Sequence, residues 1–239
     1  MIISEAGSSL GGMRIRRGVI GYELVEALCD TLEQFTKIMK EYQVDGYEAY
    51  AAAALRDVSN ELFILDQIRI RTGLTVHVLS NSEHRFISYK SVAMRSEFEE
   101  LIKTGAAVVD VGGGTTGISI LKDGKVIFTA DEPTGGTHMT LVLAGSLGCS
   151  FEEAERIKKD PKQEMLVFPV VKPVIEKMAA IVARFIEGYD VDVIYVVGGA
   201  CSFKKFESVF EKETGVKTIK PKEPLLVTPL GIAMNCNKQ

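Results

Sequence analysis

The chain has 239 residues, enough for one large domain or two small ones with a sizeable buried core. A hydrophobic content of 46% beside 25% charged residues is ordinary globular composition, and a net charge of −4 argues against a nucleic-acid groove. No apolar run reaches the ~18 residues of a membrane span, the first residues lack a basic-then-apolar secretion signal, and Cys29, Cys149, Cys201 and Cys236 are scattered with no CxxC pair. The reading is a cytoplasmic protein with reduced thiols and neither a nucleic-acid nor a membrane partner. His77, His84 and His138 share no ligand spacing with the cysteines, so no Cys/His metal site is expected.

In chain order, Gly7 to Gly12 reads as a loop. Leu24, Leu28, Leu32, Phe35, Ile38 and Met39 then recur at helical spacing over Tyr22 to Glu41. Tyr47 to Leu55 reads as a buried strand running into a loop from Arg56 to Asn60. A second helix spans Glu61 to Arg71, with Thr72-Gly73 as its stop. Thr75 to Leu79 is a short strand, and Ser82 to Lys90 and Glu97 to Lys103 are helical. This alternation predicts parallel strands with helices packed on them, hence an α/β fold.

Ala106 to Phe128 organises the second half. An apolar strand, Ala107 to Val111, carries Asp110 near its end and delivers the chain to Gly112, Gly113 and Gly114, followed by Thr115, Thr116 and Gly117. The glycines at 112, 114 and 117 fit a dinucleotide fingerprint, but that fingerprint needs a helix directly after them. Here Ile118 and Ile120 alternate as in a strand, Asp123-Gly124 makes a turn, and Val126 and Phe128 continue a hairpin. A glycine turn with two hydroxyls offers closely spaced N–H groups to phosphate oxygens. The alternative is a plain tight turn. A side chain at Gly113 is expected to strain the backbone by about 1–3 kcal/mol.

Gly135-Gly136-Thr137 opens a helix reaching Leu147. Its free N–H groups suit a phosphate, or serve only as a helix entry, with His138 as a structural cap. Ser150 and Glu153 form a capping box for Phe151 to Lys158. Pro161 to Met165 reads as a linker, and Val170 to Gly188 as a long helix carrying Glu176 and Lys177 on its polar face. Asp192 to Val197 is an apolar strand ending in Gly198-Gly199. A helix (Phe203 to Thr214), a short strand (Val216 to Ile219), a loop with Pro221 and Pro224, and a helix from Pro229 to Met234 complete the chain.

This order resembles the actin/sugar-kinase/DnaK (ASKHA) superfamily, with its actin-like ATPase (ribonuclease H-like) fold of two domains around a nucleotide cleft. DVGGGTT resembles its phosphate-2 loop and VVGGACSF its adenosine loop; Thr228-Pro229-Leu230-Gly231 resembles its second connecting segment. From about 107 onward, GGGTTGISILKDGKV, ADEPTGGTHMTLVLAG, FEEAE and VKPVIEKMA resemble EutJ, the DnaK-like family of ethanolamine-utilisation operons. From about 20 to 110, DTLEQFTKIMKEYQVDGYEAY and ILDQIRIRTGLTVHVLSNSEHRF resemble the first domain of Ppx/GppA exopolyphosphatases. The implied division is 1–105 and 106–239.

The first domain departs from the superfamily pattern. Nothing before Tyr22 supplies the D-x-G-[ST] phosphate-1 hairpin, Gly7-Ser8-Ser9 being the nearest stretch. Ala52-Ala53 replaces the usual Thr-Ser, and Gly117 replaces the acidic residue of the exopolyphosphatase loop. Arg56 matches that family's phosphate-binding arginine and Glu83 its water-activating carboxylate. A first domain lacking its opening hairpin leaves a sheet edge near Tyr47 to Ala53, open to self-association.

The resemblance implies ATP held by Gly112, Gly113, Gly114, Thr115, Thr116, Gly135, Gly136, Gly198 and Gly199, with Mg²⁺ near Asp110. Asp110 either holds a Mg²⁺-bound water or caps the loop. The implied function is a EutJ-type ATP-binding chaperone acting on client proteins. The rival is a polyphosphate or guanosine-pentaphosphate hydrolase with Glu83 as general base and Arg56 on the phosphate. A third reading is a chain that folds its second half and carries no activity.

Overall fold

The computed structural model describes residues 18–51, 53–56, 58–80, 83–84, 87 and 105–235. The stretch Gly7-Ser8-Ser9, Ala52, and the expected helix Glu97 to Lys103 lie outside the described residues, as does nearly all of that expected over Ser82 to Lys90. The chain divides into two compact units, one reaching His84 and one running from Arg85 to Asn235. Among the described residues no helix is long and apolar enough to cross a membrane.

In the first unit, helix α1 (Tyr22–Glu41) follows the predicted period and buries Leu24, Val25 and Cys29. These residues pack with Ile64 and Ile68 of α3 (Glu61–Thr72) and with Leu55, Val58 and Leu74. Gly73 closes α3 at φ 74°, the left-handed stop that the sequence signalled. Strand β1 is only Ala49–Ala51, half-buried, because the alanine run behind it forms one helical turn, α2 (Ala53–Arg56). It pairs in parallel with β2 (Val76–Val78), and no third strand joins them among the described residues. Asn60 acts as a surrogate strand partner. Its amide donates to the Ile20 carbonyl at 2.9 Å and accepts from the Ile20 N–H at 3.1 Å, tying the entry of α1 to the start of α3. Arg71 adds a charge clamp from α3 to Glu26, Asp30 and Glu33 of α1.

The second unit is a five-stranded sheet in the order β5-β4-β3-β6-β7. The hairpin strands β3 (Ala106–Val111), β4 (Thr116–Lys122) and β5 (Lys125–Glu132) are antiparallel neighbours, and β6 (Val193–Val197) and β7 (Lys217–Ile219) continue the sheet in parallel from β3. The β4–β5 turn is Asp123 at φ 51° and Gly124 at φ 72°, the paired left-handed residues of a tight hairpin. Alternation along β3 sends Ala107, Val109 and Val111 into the main core and Ala106 and Val108 to the other face, with Tyr195 and Val227.

Helices α4 (Gly136–Leu147), α5 (Phe151–Lys159), α6 (Glu164–Ile186) and α7 (Phe206–Thr214) contribute to the main core, and α8 (Val227–Asn235) brings Val227 to the opposite one. The expected linker before Val170 is helix instead: α6 opens at Glu164 and runs through Pro169 and Pro173. The two prolines are four residues apart on one exposed face, and the first leaves orphaned the carbonyl of Met165, itself 93% exposed. Water satisfies what the missing N–H groups do not.

Replacing Asn60 with Ala removes both bonds to Ile20 and leaves its backbone groups unmatched. Urea denaturation should show a stability loss of about 1–3 kcal/mol; a loss below about 0.5 kcal/mol would show that the surrogate pairing contributes nothing.

Candidate phosphate-binding loop

Residues 112–115 turn between β3 and β4, closed by the Gly112 N–H donating to the Thr115 carbonyl at 2.9 Å. Helix α4 meets this loop with its N-terminus. The Gly136 N–H donates to the Gly112 carbonyl at 2.9 Å and the Thr137 N–H to the Gly113 carbonyl at 2.7 Å. These α4 donors are therefore engaged with the loop, and Gly136 offers no N–H to a ligand. With the Gly112 and Gly113 carbonyls held on the α4 side, the N–H groups of Gly113 and Gly114 have no protein partner among the described residues, and both residues are exposed.

The glycines divide by what a side chain would meet. At Gly135 a Cβ would lie 2.7 Å from the Gly112 and Gly113 carbonyl oxygens, so glycine is needed for α4 to dock. Gly198 has φ 94°, and a Cβ there would lie 2.6 Å from Asp110 Oδ1 and 2.5 Å from the Val111 carbonyl. Gly199 would meet only the end of the Leu225 side chain. Gly113 and Gly114 have no left-handed φ, and a Cβ on either meets nothing within 4 Å. The expected strain at Gly113 is thus corrected. Neither a left-handed φ nor packing among the described residues requires glycine at 113 and 114.

The two threonines separate. Thr116 is buried and its hydroxyl donates to the Thr134 carbonyl at 2.6 Å, which fixes the strand end and turns the group away from the loop mouth. Thr115 remains half-exposed at the mouth. Asp110 lies on the β3 face away from the main core, 5% exposed, with Oδ2 accepting from the Thr228 hydroxyl of α8 at 3.3 Å. It ties the root of the loop to α8. Among the described residues no group of three His, Cys, Asp or Glu side chains could hold a metal. His138 is the cap expected, its Nδ1 accepting from the Gly135 N–H at 3.2 Å. Glu176 pairs with Lys172 at 2.7 Å and Lys177 is exposed.

A cluster that the sequence reading missed lies behind α4. Lys158 Nζ donates to the Gly136 carbonyl at 3.1 Å and to Thr140 Oγ1 at 2.6 Å, and pairs with Glu155 at 2.7 Å. Burial pushes the Lys158 ammonium below the usual lysine range, with Glu155 acting in the opposite sense. Burial alone would raise Glu155, but its bonds to Lys158 and Thr140 outweigh that and hold the carboxyl low. The i,i+3 spacing of Glu155 and Lys158 allows their pairing, but only the packing of α5 on α4 brings Thr140 and the Gly136 carbonyl to it.

Arg56 and Glu83 belong to the first unit. Arg56 Nη1 donates to the Leu79 carbonyl at 3.2 Å. Glu83 accepts from the Ser80 N–H at 2.8 Å and the Ser80 hydroxyl at 2.7 Å, while its own N–H returns to Ser80 Oγ at 3.2 Å. This is a reciprocal capping box, readable in the Ser80-x-x-Glu83 spacing. The Ser80 hydroxyl, then its N–H, hold the carboxyl below the usual range, which weakens it as a base.

The family described as Type IV pilus assembly protein PilM matches residues 36–224. EutJ from Carboxydothermus hydrogenoformans, a crystal structure, superposes with a TM-score of 0.72 at 35% identity over 92% of this chain and 77% of that one. The chain belongs to the EutJ and PilM families of the actin-like ATPase (ASKHA) superfamily. EutJ from Salmonella typhimurium is 49% identical over 129 residues, 54% of this chain and 46% of that protein, so the chain spans about half the length of the curated EutJ relatives it matches. Two more distant ASKHA neighbours share the fold alone. MreB5 of Spiroplasma citri bound to ADP gives a TM-score of 0.64 at 16% identity over 92% of this chain and 77% of that one. The Aquifex aeolicus Ppx/GppA protein gives 0.54 at 24% over 80% and 55%.

Substitution by alanine separates the glycine classes. Gly135→Ala and Gly198→Ala should each lower unfolding free energy by about 2 kcal/mol or more, whereas Gly113→Ala should stay within about 0.5 kcal/mol of the parent. Thermal and urea unfolding of the three variants measure this; equal losses at all three would restore the plain-turn reading.

Proposed function

We propose that the second unit is a nucleotide-holding module that takes the phosphates of ATP on the Gly113 and Gly114 N–H groups. One observation carries this reading: two adjacent exposed glycines, Gly113 and Gly114, keep N–H groups with no protein partner among the described residues, on a loop whose Gly112 and Gly113 carbonyls are engaged by α4. A Cβ on either would meet no described atom within 4 Å. Open space above them lets phosphate oxygens approach the backbone. Gly198-Gly199, at the C-terminal end of β6 and bonded to the neighbouring turn through Gly198 N–H to the Pro224 carbonyl at 2.9 Å, would border the nucleoside. Mg²⁺ would arrive with the phosphates, since one carboxylate and phosphate oxygens suffice to hold it; Asp110 at the loop root is the carboxylate we assign. The ADP carried by MreB5 supports a nucleotide in this fold.

Within a EutJ-type role, the bound nucleotide would set the affinity of the chain for partner proteins of ethanolamine utilisation. Exposed Leu141 and Val142 on α4 and Met165 and Leu166 at the start of α6 provide apolar contact surface for such partners. The edge of β1, which pairs only with β2 among the described residues, would be a second contact route, toward another copy of the chain. The capping box at Glu83 favours this holding role over polyphosphate hydrolysis.

Calorimetry with Mg²⁺-ATP and with polyphosphate tests the reading. The parent chain should bind ATP, and Gly113→Val should abolish binding with little change in melting temperature, because a Cβ at 113 meets no described atom within 4 Å and the side chain would occupy the ligand space. Retained ATP affinity in Gly113→Val would remove the loop from the site. Binding of polyphosphate without ATP would transfer the assignment to the exopolyphosphatase-like function.

A further inference from the structure

Hydrogen bonds polarise one another when they run head to tail through peptide groups. Two such runs end on the loop. In the first, Lys158 Nζ donates to the Gly136 carbonyl at 3.1 Å. That carbonyl shares its peptide group with the Thr137 N–H, which donates to the Gly113 carbonyl at 2.7 Å. The Gly113 carbonyl shares its peptide group with the outward Gly114 N–H. In the second, the His138 N–H donates to the Gly135 carbonyl at 3.0 Å, and the Gly136 N–H of that same peptide donates to the Gly112 carbonyl at 2.9 Å. The Gly112 peptide ends on the outward Gly113 N–H. Only the first run begins at a charge.

The charge is largely withheld from solvent, the Lys158 side chain being 12% exposed. Glu155 is its counter-ion, but that carboxylate is shared: Lys159 reaches it at 3.2 Å and the Thr140 hydroxyl donates to it at 2.5 Å. Lys158 is therefore incompletely neutralised, because Glu155 divides its carboxylate between Lys158, the half-exposed Lys159 and Thr140. In a low-dielectric setting such a charge acts over several ångströms more strongly than it would in water.

We propose that Lys158 is a positioning residue for the phosphate loop: from behind α4 and without touching ligand, it polarises the Thr137 N–H toward the Gly113 carbonyl and, through that peptide, the Gly114 N–H toward an anion. The proposal rests on the reading of the loop as a phosphate site and adds the residue that tunes it. Its sign is definite. Removing the ammonium weakens polyanion binding; removing the counter-charge at Glu155 strengthens it.

The test uses the full chain with Lys158→Met and Glu155→Gln, titrated with tripolyphosphate, ATP and adenosine, beside hydroxide-catalysed amide exchange of Gly113 and Gly114 by NMR without ligand. Lys158→Met should weaken tripolyphosphate and ATP by the same factor, about three- to tenfold as for dipole and charge effects at a helix end. Adenosine affinity should not move. Exchange at Gly114 should slow more than at Gly113, because a positive potential favours the developing amide anion and the Gly113 run does not begin at Lys158. Glu155→Gln should act oppositely on both readouts. A selective loss of adenosine affinity would make Lys158 a direct nucleoside contact and overturn the proposal; unchanged Gly114 exchange would reduce it to a brace between helices. Should Lys158→Met fail to fold, Glu155→Gln decides alone, and no tightening overturns the relay. A parent chain that binds no polyanion defeats the phosphate reading and any service of Lys158 to a ligand, whereas failure in the variants alone defeats only the relay.

Discussion

Two hydrogen bonds set the character of the second unit: from the Gly136 and Thr137 N–H groups at the start of α4 to the Gly112 and Gly113 carbonyls of the β3–β4 loop. A four-residue turn alone could point its peptide groups either way. Here the carbonyls are drawn to the positive end of a helix, so the N–H groups beyond them face out. The arrangement depends on Gly135 having no side chain, since any Cβ there would strike the loop backbone. It depends as well on the Thr116 hydroxyl and Thr134 carbonyl, which fix the far end of the loop. The helix end thus acts on an anion through the loop rather than by direct contact.

The same observations sort the glycines of the resemblance into two kinds. Gly135 and Gly198 are glycines because the protein backbone, and for Gly198 the Asp110 carboxylate, occupies the space a side chain would take. Gly113 and Gly114 are glycines with no such neighbour. A motif written as a run of glycines hides this difference, yet only the second kind points to a ligand. Asp110 joins the two: buried at the end of β3, it faces Gly198 on one side and accepts from Thr228 on the other. It makes the loop root, the β6 end and α8 one rigid corner.

Much of the fold was legible because local chemistry and tertiary position agreed. Asp123-Gly124 specifies a tight hairpin by its φ preference, Gly73 stops a helix, and the alternating Ile118 and Ile120 exclude a helix after the glycines. The misreadings arose where a rule met a special environment. Pro169 and Pro173 read as a break because proline removes a donor, but on one solvent face the orphaned carbonyls reach water and α6 continues. Tyr47 to Leu55 read as a buried strand from its apolarity alone, although an alanine run also favours a helical turn. Glu83 is a separate case: the Ser80-x-x-Glu83 spacing describes the cap seen in the structure, beside the base role that the resemblance implies. Glu155 and Lys158 share one helix at i,i+3, but their meeting with Thr140 and the Gly136 carbonyl lay beyond reach, since it arises only when α5 folds back on α4.

The central claim is that the N–H groups of Gly113 and Gly114 receive the phosphates while those of Gly136 and Thr137 remain with the loop carbonyls. Amide NMR of the full chain during titration with Mg²⁺-ATP measures both sets at once. The account predicts that the Gly113 and Gly114 amides move downfield as new hydrogen bonds form, and that Gly136 and Thr137 stay protected from exchange throughout. Downfield movement at Gly136 and Thr137, with Gly113 and Gly114 unchanged, would show the helix end itself to be the anion site and contradict the account.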